Sequence, residues 1–216
     1  MPALLFDLDG TLADTDPLHQ RAWAHALVPF GIVSDLEFYT KQIAGRRNSE
    51  ITASILPQLT DAEGAALADA KEAHFRELAG TDLQPLTGLD KLLDYAKQNQ
   101  LRTALVSNAP RANADLVMST LALNFELCVL AEDLPRGKPD PLPYTTALEK
   151  LGLNPTQALA FEDSPSGVRS AVAAGIRTIG LLTGHAPESL TRAGTILNVE
   201  NFAALALWSL LERELT

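Results

Sequence analysis

The spacing of apolar and polar positions changes at about residue 80. Residues 3–8 form a short apolar run, which predicts a buried β-strand. From about residue 16 to residue 80 the chain is rich in helix-forming residues. In this block Thr60 and Glu63 have the spacing of a capping box, and Gly80 is predicted to end the long helix that follows. Because this block shows no convincing strand pattern, we expect one strand followed by an all-helical segment.

Beyond residue 80, short apolar runs alternate with amphipathic helical patterns. The predicted strands are LRTALVSNA (101–109), ELCVLA, ALAFEDS (158–164), IRTIGLL and a short run at 195–197. Strands that alternate with helices predict a parallel sheet with helices on both faces. The expected fold is therefore a three-layer α/β core of residues 1–15 and 81–216, with a small all-helical cap of residues 16–80 inserted after the first strand.

Polar residues gather where these predicted strands end. They are Asp7 and Asp9 after the first strand, Ser107 and Asn108 after the second, Lys138 in a later loop, and Glu162 with Asp163 after ALAF. Ligands of open parallel sheets bind at the carboxyl ends of the strands. Several carboxylates on one rim repel each other unless a cation joins them, and hard oxygen ligands suit Mg²⁺. Since a lysine and a serine hydroxyl bind phosphoryl oxygens, the set predicts phosphoryl transfer to a carboxylate, assisted by a second acid.

Composition and charge narrow the class of protein. The 216 residues carry a formal net charge of −10, which argues against a nucleic-acid or anionic-membrane partner. No apolar run approaches the length of a membrane span, and the N-terminus lacks the pattern of a signal peptide. Cys128 is the only cysteine, so an intrachain disulfide is excluded and a buried thiol is expected. These features predict a cytoplasmic protein.

Four stretches together resemble the haloacid dehalogenase superfamily, in its phosphatase and β-phosphoglucomutase-like branch. FDLDGTLADTDPLH, VSNA, GKPDP and FEDSPSGVRSAVAAG match its four motifs in order and span nearly the whole predicted core. The resemblance implies a Mg²⁺-dependent phosphatase that acts on a small phosphorylated metabolite, such as a sugar phosphate or a phosphoglycolate-like ester. It also implies an aspartyl-phosphate intermediate and a cap that closes over the substrate and excludes water. A monomer is expected.

The same resemblance assigns a role to each matched residue. Asp7 would be the nucleophile, and Asp9 the general acid and base, with its backbone carbonyl also on the metal. Ser107 and the Asn108 backbone would hold the transferring phosphoryl group, and Lys138 would neutralise that group and Asp7. Asp163, with Glu162 beside it, would complete the Mg²⁺ site of Asp7 and Asp9. Gly10 and Thr11 would shape the turn after the strand.

Three alternatives compete with the phosphatase. A metal-free 2-haloacid dehalogenase would need neither Asp9 nor the pair Glu162 and Asp163. A non-enzymatic phosphoacceptor domain of the receiver type is shorter and has no cap. The closer alternative is a β-phosphoglucomutase-like sugar-phosphate mutase, because His19 and Trp23 resemble the entry of the mutase cap.

The cap stretch IAGRRNSEI lies where the mutases have Lys-Gly-x-Ser-Arg. Ala44 replaces the lysine, Arg47 replaces the serine, and Asn48 stands where the arginine is expected. The missing lysine favours a phosphatase, although the mutase stays open because a shifted arginine could do similar work. The predicted substrate-binding residues of the cap are His19, Trp23, Gly45, Arg46 and Arg47, and the two arginines are expected to bind the distal part of the substrate.

Overall fold

The structure, a computed structural model, describes residues 3–44 and 46–215. The chain separates into two compact units. One unit holds the residues up to Asp14 and from Gln84 onward, and the other spans Thr15–Leu83. The second unit therefore begins one residue earlier and ends three residues later than the predicted cap of 16–80. Among the described residues, no helix combines the length and the apolar character needed to span a membrane.

The larger unit is built on six parallel strands in the order β3-β2-β1-β4-β5-β6. The strands are β1 (Ala3–Phe6), β2 (Arg102–Ser107), β3 (Leu127–Leu130), β4 (Ala158–Glu162), β5 (Arg177–Leu181) and β6 (Leu197–Val199). The chain reverses its direction of progress across the sheet at β1, which lies between β2 and β4. Such a switch point is where ligands of open α/β sheets bind. The predicted parallel α/β fold is confirmed.

Helices cover the sheet because its central strands carry no polar face. All residues of β1 and β4 are buried, as expected of parallel strands that pack on both sides. The helices of this unit are α5 (Leu89–Gln98), α6 (Arg111–Thr120), α7 (Leu142–Leu151), α8 (Pro165–Ala173), α9 (Pro187–Ala193) and α10 (Leu205–Leu215). Phe6 stacks on Phe161 of the neighbouring strand with ring centroids 5.1 Å apart. This close packing fixes the strand ends that carry the polar residues.

The described residues of the smaller unit form helices and no strand. Its helices are α1 (Asp16–Leu27), α2 (Leu36–Gln42), α3 (Asn48–Ile55) and α4 (Asp61–Asp82), packed around an apolar cluster that includes Trp23, Leu27 and Ile51. The capping box of Thr60 and Glu63 at the start of α4 is confirmed. The prediction that Gly80 ends this helix is wrong, because α4 continues to Asp82. One glycine costs a helix only about 1 kcal/mol relative to alanine.

Candidate active site

Strands β1, β2 and β4 bring three predicted site residues to one edge of the sheet. Phe6 lies opposite Leu105 of β2 and Phe161 of β4, so the next residue, Asp7, lies beside the ends of both neighbours. The backbone N–H of Asp7 donates to the carbonyl of Phe161 at 3.0 Å. Ser107 and Glu162 are the last residues of β2 and β4. The strand register therefore determines which side chains meet.

Asp7, Glu162 and Asp163 form a compact acidic group. Each offers a carboxylate oxygen, and these oxygens lie within 4.8 Å of one another. Glu162 is fully buried, and its Oε2 has no hydrogen-bond partner in the part of the chain that the structure describes. A buried acceptor without a partner costs about 1–3 kcal/mol. Three carboxylates this close together repel one another unless a cation joins them. The residues fit Mg²⁺, which prefers carboxylate oxygens.

Lys138 crosslinks the acidic group from a buried position. Its Nζ donates to Asp7 Oδ1 at 2.5 Å and to Glu162 Oε1 at 2.7 Å. Burial alone would lower the pKa of Lys138, but the two carboxylates outweigh burial and hold that pKa above its ordinary value. Burial raises the pKa of Asp7 to about 7, although Lys138 opposes the shift. A carboxylate nucleophile must be ionised, so Lys138 and a cation would both favour the reactive form.

The side chain of Asn108 fixes the backbone of Lys138. The Lys138 N–H donates to Asn108 Oδ1 at 2.9 Å, and Asn108 Nδ2 donates to the Lys138 carbonyl at 3.1 Å. The preceding Gly137 allows this approach, because a Cβ there would lie 2.7 Å from Asn108 Oδ1. The phosphoryl contact expected of the Asn108 backbone stays a prediction. The clamp made by the side chain was not predicted, and no feature of the sequence indicates it.

Ser107 accepts a hydrogen bond within the turn that follows β2. Its Oγ accepts from the backbone N–H of Ala109 at 3.0 Å, and the residue is buried. A hydroxyl also carries one proton to donate. The predicted donation from Ser107 to a phosphoryl oxygen is therefore compatible with this turn.

Gly10 and its neighbours form the turn that follows Asp7. Gly10 has a φ of +70°, and a Cβ there would lie 2.3 Å from Asp163 Oδ2, so only glycine fits. Its carbonyl accepts from Thr183 Oγ1 at 2.7 Å, a contact that was not predicted although Thr183 follows the end of a strand. Thr11 is fully buried in the same turn. The half-buried Asp9 contributes no carboxylate oxygen to the group of three, and its acid–base and metal roles stay predictions.

Tyr144 is a second site residue that was not predicted from the sequence. Its hydroxyl donates to Glu162 Oε1 at 2.6 Å, and the Nζ of Lys138 lies 5.4 Å from the centroid of its ring. Burial and the nearby Glu162 raise the pKa of Tyr144 above its ordinary value, so the hydroxyl keeps its proton. The only signal in the sequence is an aromatic hydroxyl in the first turns of the helix after GKPDP.

A chain of polar contacts runs through the helical unit. The Nζ of buried Lys71 lies 2.8 Å from His19 Nδ1 and 2.9 Å from Glu72 Oε1. Asn48 Nδ2 donates to the same oxygen of Glu72 at 2.7 Å. Burial would raise the pKa of Glu72, but Lys71, His19 and Asn48 together hold that pKa below its usual range. Asn48, at the position where the mutases have arginine, is therefore bonded to an acid. Neither Lys71 nor Glu72 was predicted from the sequence.

The two predicted cap arginines lie in different surroundings. Half-buried Arg46 donates to the carbonyls of Gln42 and Glu50 and to Ser54 Oγ, at 2.7, 3.1 and 3.0 Å. Arg47 is exposed and forms an ion pair of 2.7 Å with Glu50. Substrate binding by either arginine stays a prediction.

The other predicted substrate contacts of the helical unit also stay predictions. Trp23 is only 2% exposed and lies in the apolar cluster of this unit. His19 stacks on Phe75 with ring centroids 4.0 Å apart. Gly45 lies outside the described residues.

Comparisons with known proteins agree with this architecture. Residues 4–181 match the family model described as haloacid dehalogenase-like hydrolase. The chain is 34% identical to validoxylamine A 7'-phosphate phosphatase of Streptomyces hygroscopicus subsp. limoneus, over 89% of this chain and 91% of that protein. It is 30% identical to the β-phosphoglucomutase of Bacillus subtilis, over 86% and 85%.

The fold is also similar to that of a solved structure. The crystal structure of CbbY from Rhodobacter sphaeroides in complex with phosphate superposes with a TM-score of 0.82. The two chains are 28% identical, and the match covers 95% of this chain and 96% of the other. The family predicted from the four motifs is confirmed: this chain belongs to the haloacid dehalogenase-like hydrolases.

Proposed function

We propose that this protein is a Mg²⁺-dependent phosphatase that hydrolyses a small phosphorylated metabolite, a sugar phosphate or a phosphoglycolate-like ester. The observation that carries the proposal is the buried contact of Lys138 with both Asp7 and Glu162 at the tips of adjacent strands. Such a site offers a carboxylate nucleophile and a fixed cation for a phosphoryl group. Relatives named validoxylamine A 7'-phosphate phosphatase and β-phosphoglucomutase support this class of substrate.

The proposed reaction has two steps. Asp7 attacks phosphorus to form an aspartyl-phosphate, while Asp9 protonates the leaving oxygen of the alcohol. Asp9 then removes a proton from water, which attacks the aspartyl-phosphate and releases inorganic phosphate. Lys138 and the hydroxyl of Ser107 hold the transferring group in both steps. Mg²⁺ held by Asp7, Glu162 and Asp163, and by the Asp9 carbonyl, would offset the negative charge of the phosphoryl oxygens.

The surroundings of the mutase motif favour hydrolysis over transfer to a second hydroxyl. A mutase must hold a substrate that already carries another phosphate, which requires well-placed cations. Here Arg46 is bonded to three acceptors of its own unit, and Asn48 is bonded to the acid Glu72. Glu72 in turn forms an ion pair with Lys71, so this pair offers no net positive charge to a second phosphate and suits an uncharged, hydroxyl-bearing end of a substrate better. A monomer in the cytoplasm, without nucleic-acid or membrane partners, remains our expectation.

The test is a screen for phosphate release with Mg²⁺ over hexose and pentose phosphates, phosphoglycolate and glycerol phosphate. We expect release from at least one ester, its loss with a chelator, and recovery when Mg²⁺ is added back. Full activity after exhaustive metal removal would contradict the proposal and favour the dehalogenase-like chemistry. Glucose 1-phosphate with a catalytic amount of its bisphosphate should give free phosphate or no reaction. Stoichiometric glucose 6-phosphate without phosphate release would make the enzyme a mutase.

A further inference from the structure

The two oxygens of the Glu162 carboxylate have very different surroundings. Oε1 accepts from the hydroxyl of Tyr144 at 2.6 Å and from the Nζ of Lys138 at 2.7 Å. Oε2 is buried and has no hydrogen-bond partner among residues 3–44 and 46–215. The Glu162 carboxylate is therefore held by two strong hydrogen bonds to one of its oxygens, Oε1. Its orientation therefore depends on the donors at Oε1.

Packing on the opposite side limits the space for Glu162. A Cβ on Gly167 of α8 would lie 1.8 Å from Oε2, so the carboxylate rests against a backbone that has no side chain there. The side chain of Glu162 is thus confined between α8 and the hydroxyl of Tyr144 on α7. Without that hydroxyl, Oε1 would depend on Lys138, whose Nζ also donates to Asp7.

We propose that Tyr144 is a positioning residue for the cation site and acts through Glu162. The inference rests on the proposed Mg²⁺-dependent function, since Glu162 lies in the acidic group with Asp7 and Asp163. The hydroxyl of Tyr144 holds one oxygen of Glu162, and this keeps the carboxylate aligned with the other two. Partners that orient a metal-binding carboxylate typically contribute about 10–100-fold to metal affinity or activity.

The aromatic ring and the hydroxyl of Tyr144 have separable tasks. The ring is fully buried in the core and lies beneath the ammonium of Lys138. Phenylalanine would keep this packing and the cation–π contact, so Tyr144→Phe removes the hydroxyl alone. A matched control is Tyr95→Phe in the same unit, because the Tyr95 hydroxyl donates to the backbone carbonyl of Leu211 at 3.4 Å rather than to a carboxylate of the acidic group.

The experiment measures the binding of Mn²⁺, a spectroscopically visible divalent cation, to the full chain by electron paramagnetic resonance. Tyr144→Phe should raise the Kd for Mn²⁺ roughly 10-fold or more, whereas Tyr95→Phe should leave it within about two-fold of the wild-type value. Circular dichroism should show the same fold for all three proteins. An unchanged Kd in folded Tyr144→Phe would overturn the proposal.

A double-mutant cycle with Glu162→Gln separates positioning from a general packing effect. If Tyr144 acts through Glu162, Tyr144→Phe should weaken Mn²⁺ binding little further in the Glu162→Gln protein. Additive losses would refute a role through Glu162. Failure of the proposed function differs from failure of the Tyr144 proposal, because the wild-type protein itself would then bind no Mn²⁺ or release no phosphate. A wild-type protein that binds no Mn²⁺ would overturn the positioning role of Tyr144 as well.

Discussion

The side-chain amide of Asn108 should affect catalysis because it holds the backbone of Lys138 in place, although the amide itself carries no charge. Asn108→Ala removes both hydrogen bonds to the Lys138 backbone, of 2.9 and 3.1 Å, and leaves the Asn108 backbone in place. We expect kcat for phosphate release to fall roughly 10–100-fold, because a displacement of about 1 Å in a reacting group costs up to about 100-fold. Lys138 must reach two carboxylates at once, so it tolerates little displacement.

The expected cost in stability is smaller and follows from exposure. Each hydrogen bond contributes about 0.5–1.5 kcal/mol, so the clamp contributes about 1–3 kcal/mol at most. Asn108 is exposed, and water replaces part of the lost bonding in the variant. The loss in the free energy of unfolding should therefore lie near the lower end of this range, at about 1 kcal/mol. Activity and stability are thus expected to change by different amounts.

The assay compares kcat and KM for p-nitrophenyl phosphate at saturating Mg²⁺ with thermal unfolding of the same proteins. Asn99→Ala is the matched control, because its exposed amide donates to the Tyr95 carbonyl at 2.9 Å at the end of α5. This control should lose a little stability and no activity. Gly137→Ala should lower kcat as well, since its Cβ would press on Asn108 Oδ1.

Two results would refute this reasoning. A kcat of Asn108→Ala within about two-fold of wild type would show that the clamp does not hold Lys138 in its working position. Fully additive losses in the double variant of Asn108→Ala and Gly137→Ala would show that the two positions act on different groups.

Four further predictions test the site and the cap. Asp7→Asn should keep the fold and abolish phosphate release, and turnover above about a tenth of wild type would contradict the role of nucleophile. Gly10→Ala should lower activity sharply, because its Cβ would collide with Asp163 at 2.3 Å and its φ is +70°; unchanged kcat would refute this. Arg46→Ala should lower the free energy of unfolding by about 1–3 kcal/mol and Arg47→Ala by less than about 1 kcal/mol, measured by denaturant titration. If both arginines bind the distal part of the substrate, the double variant should raise KM for the sugar phosphate far more than for p-nitrophenyl phosphate, whereas equal effects would contradict that role.

The sheet could be predicted from the sequence because its signals are local. A strand buried on both faces is apolar along most of its length, and all of β1 (ALLF) and the first four residues of β4 (ALAF) are short apolar runs of this kind. Parallel strands also bring their carboxyl ends to one edge, so the residues that follow strands can be assigned to a common site from the strand pattern alone. The end of α4 was less predictable, because the weak helix-breaking effect of Gly80 competes with packing of the whole helix.

The partners of the predicted acids could not be identified in the same way. Tyr144 and Lys71 lie on helices, where nothing in the local pattern distinguishes a buried donor from an ordinary core residue. Their roles depend on which side chain faces them across the fold. The clamp of Asn108 is similar, since the motif marks the residue but does not show whether its backbone or its amide does the work.

The charge balance of the site explains why a cation is expected in a protein that is already strongly acidic. Asp7, Asp9, Glu162 and Asp163 gather at one sheet edge, and Lys138 lies in direct contact with two of them, Asp7 and Glu162. A phosphate monoester adds further negative charge, which one lysine does not offset. Burial raises the pKa of Asp7 to about 7, and the nearby carboxylates of Glu162 and Asp9 add to this shift while Lys138 opposes it. A divalent cation beside Asp7 would therefore favour both the binding of the negatively charged substrate and the ionisation of the nucleophile. Residues that align the ligands of this cation, such as Tyr144, would then affect both substrate binding and the ionisation of Asp7.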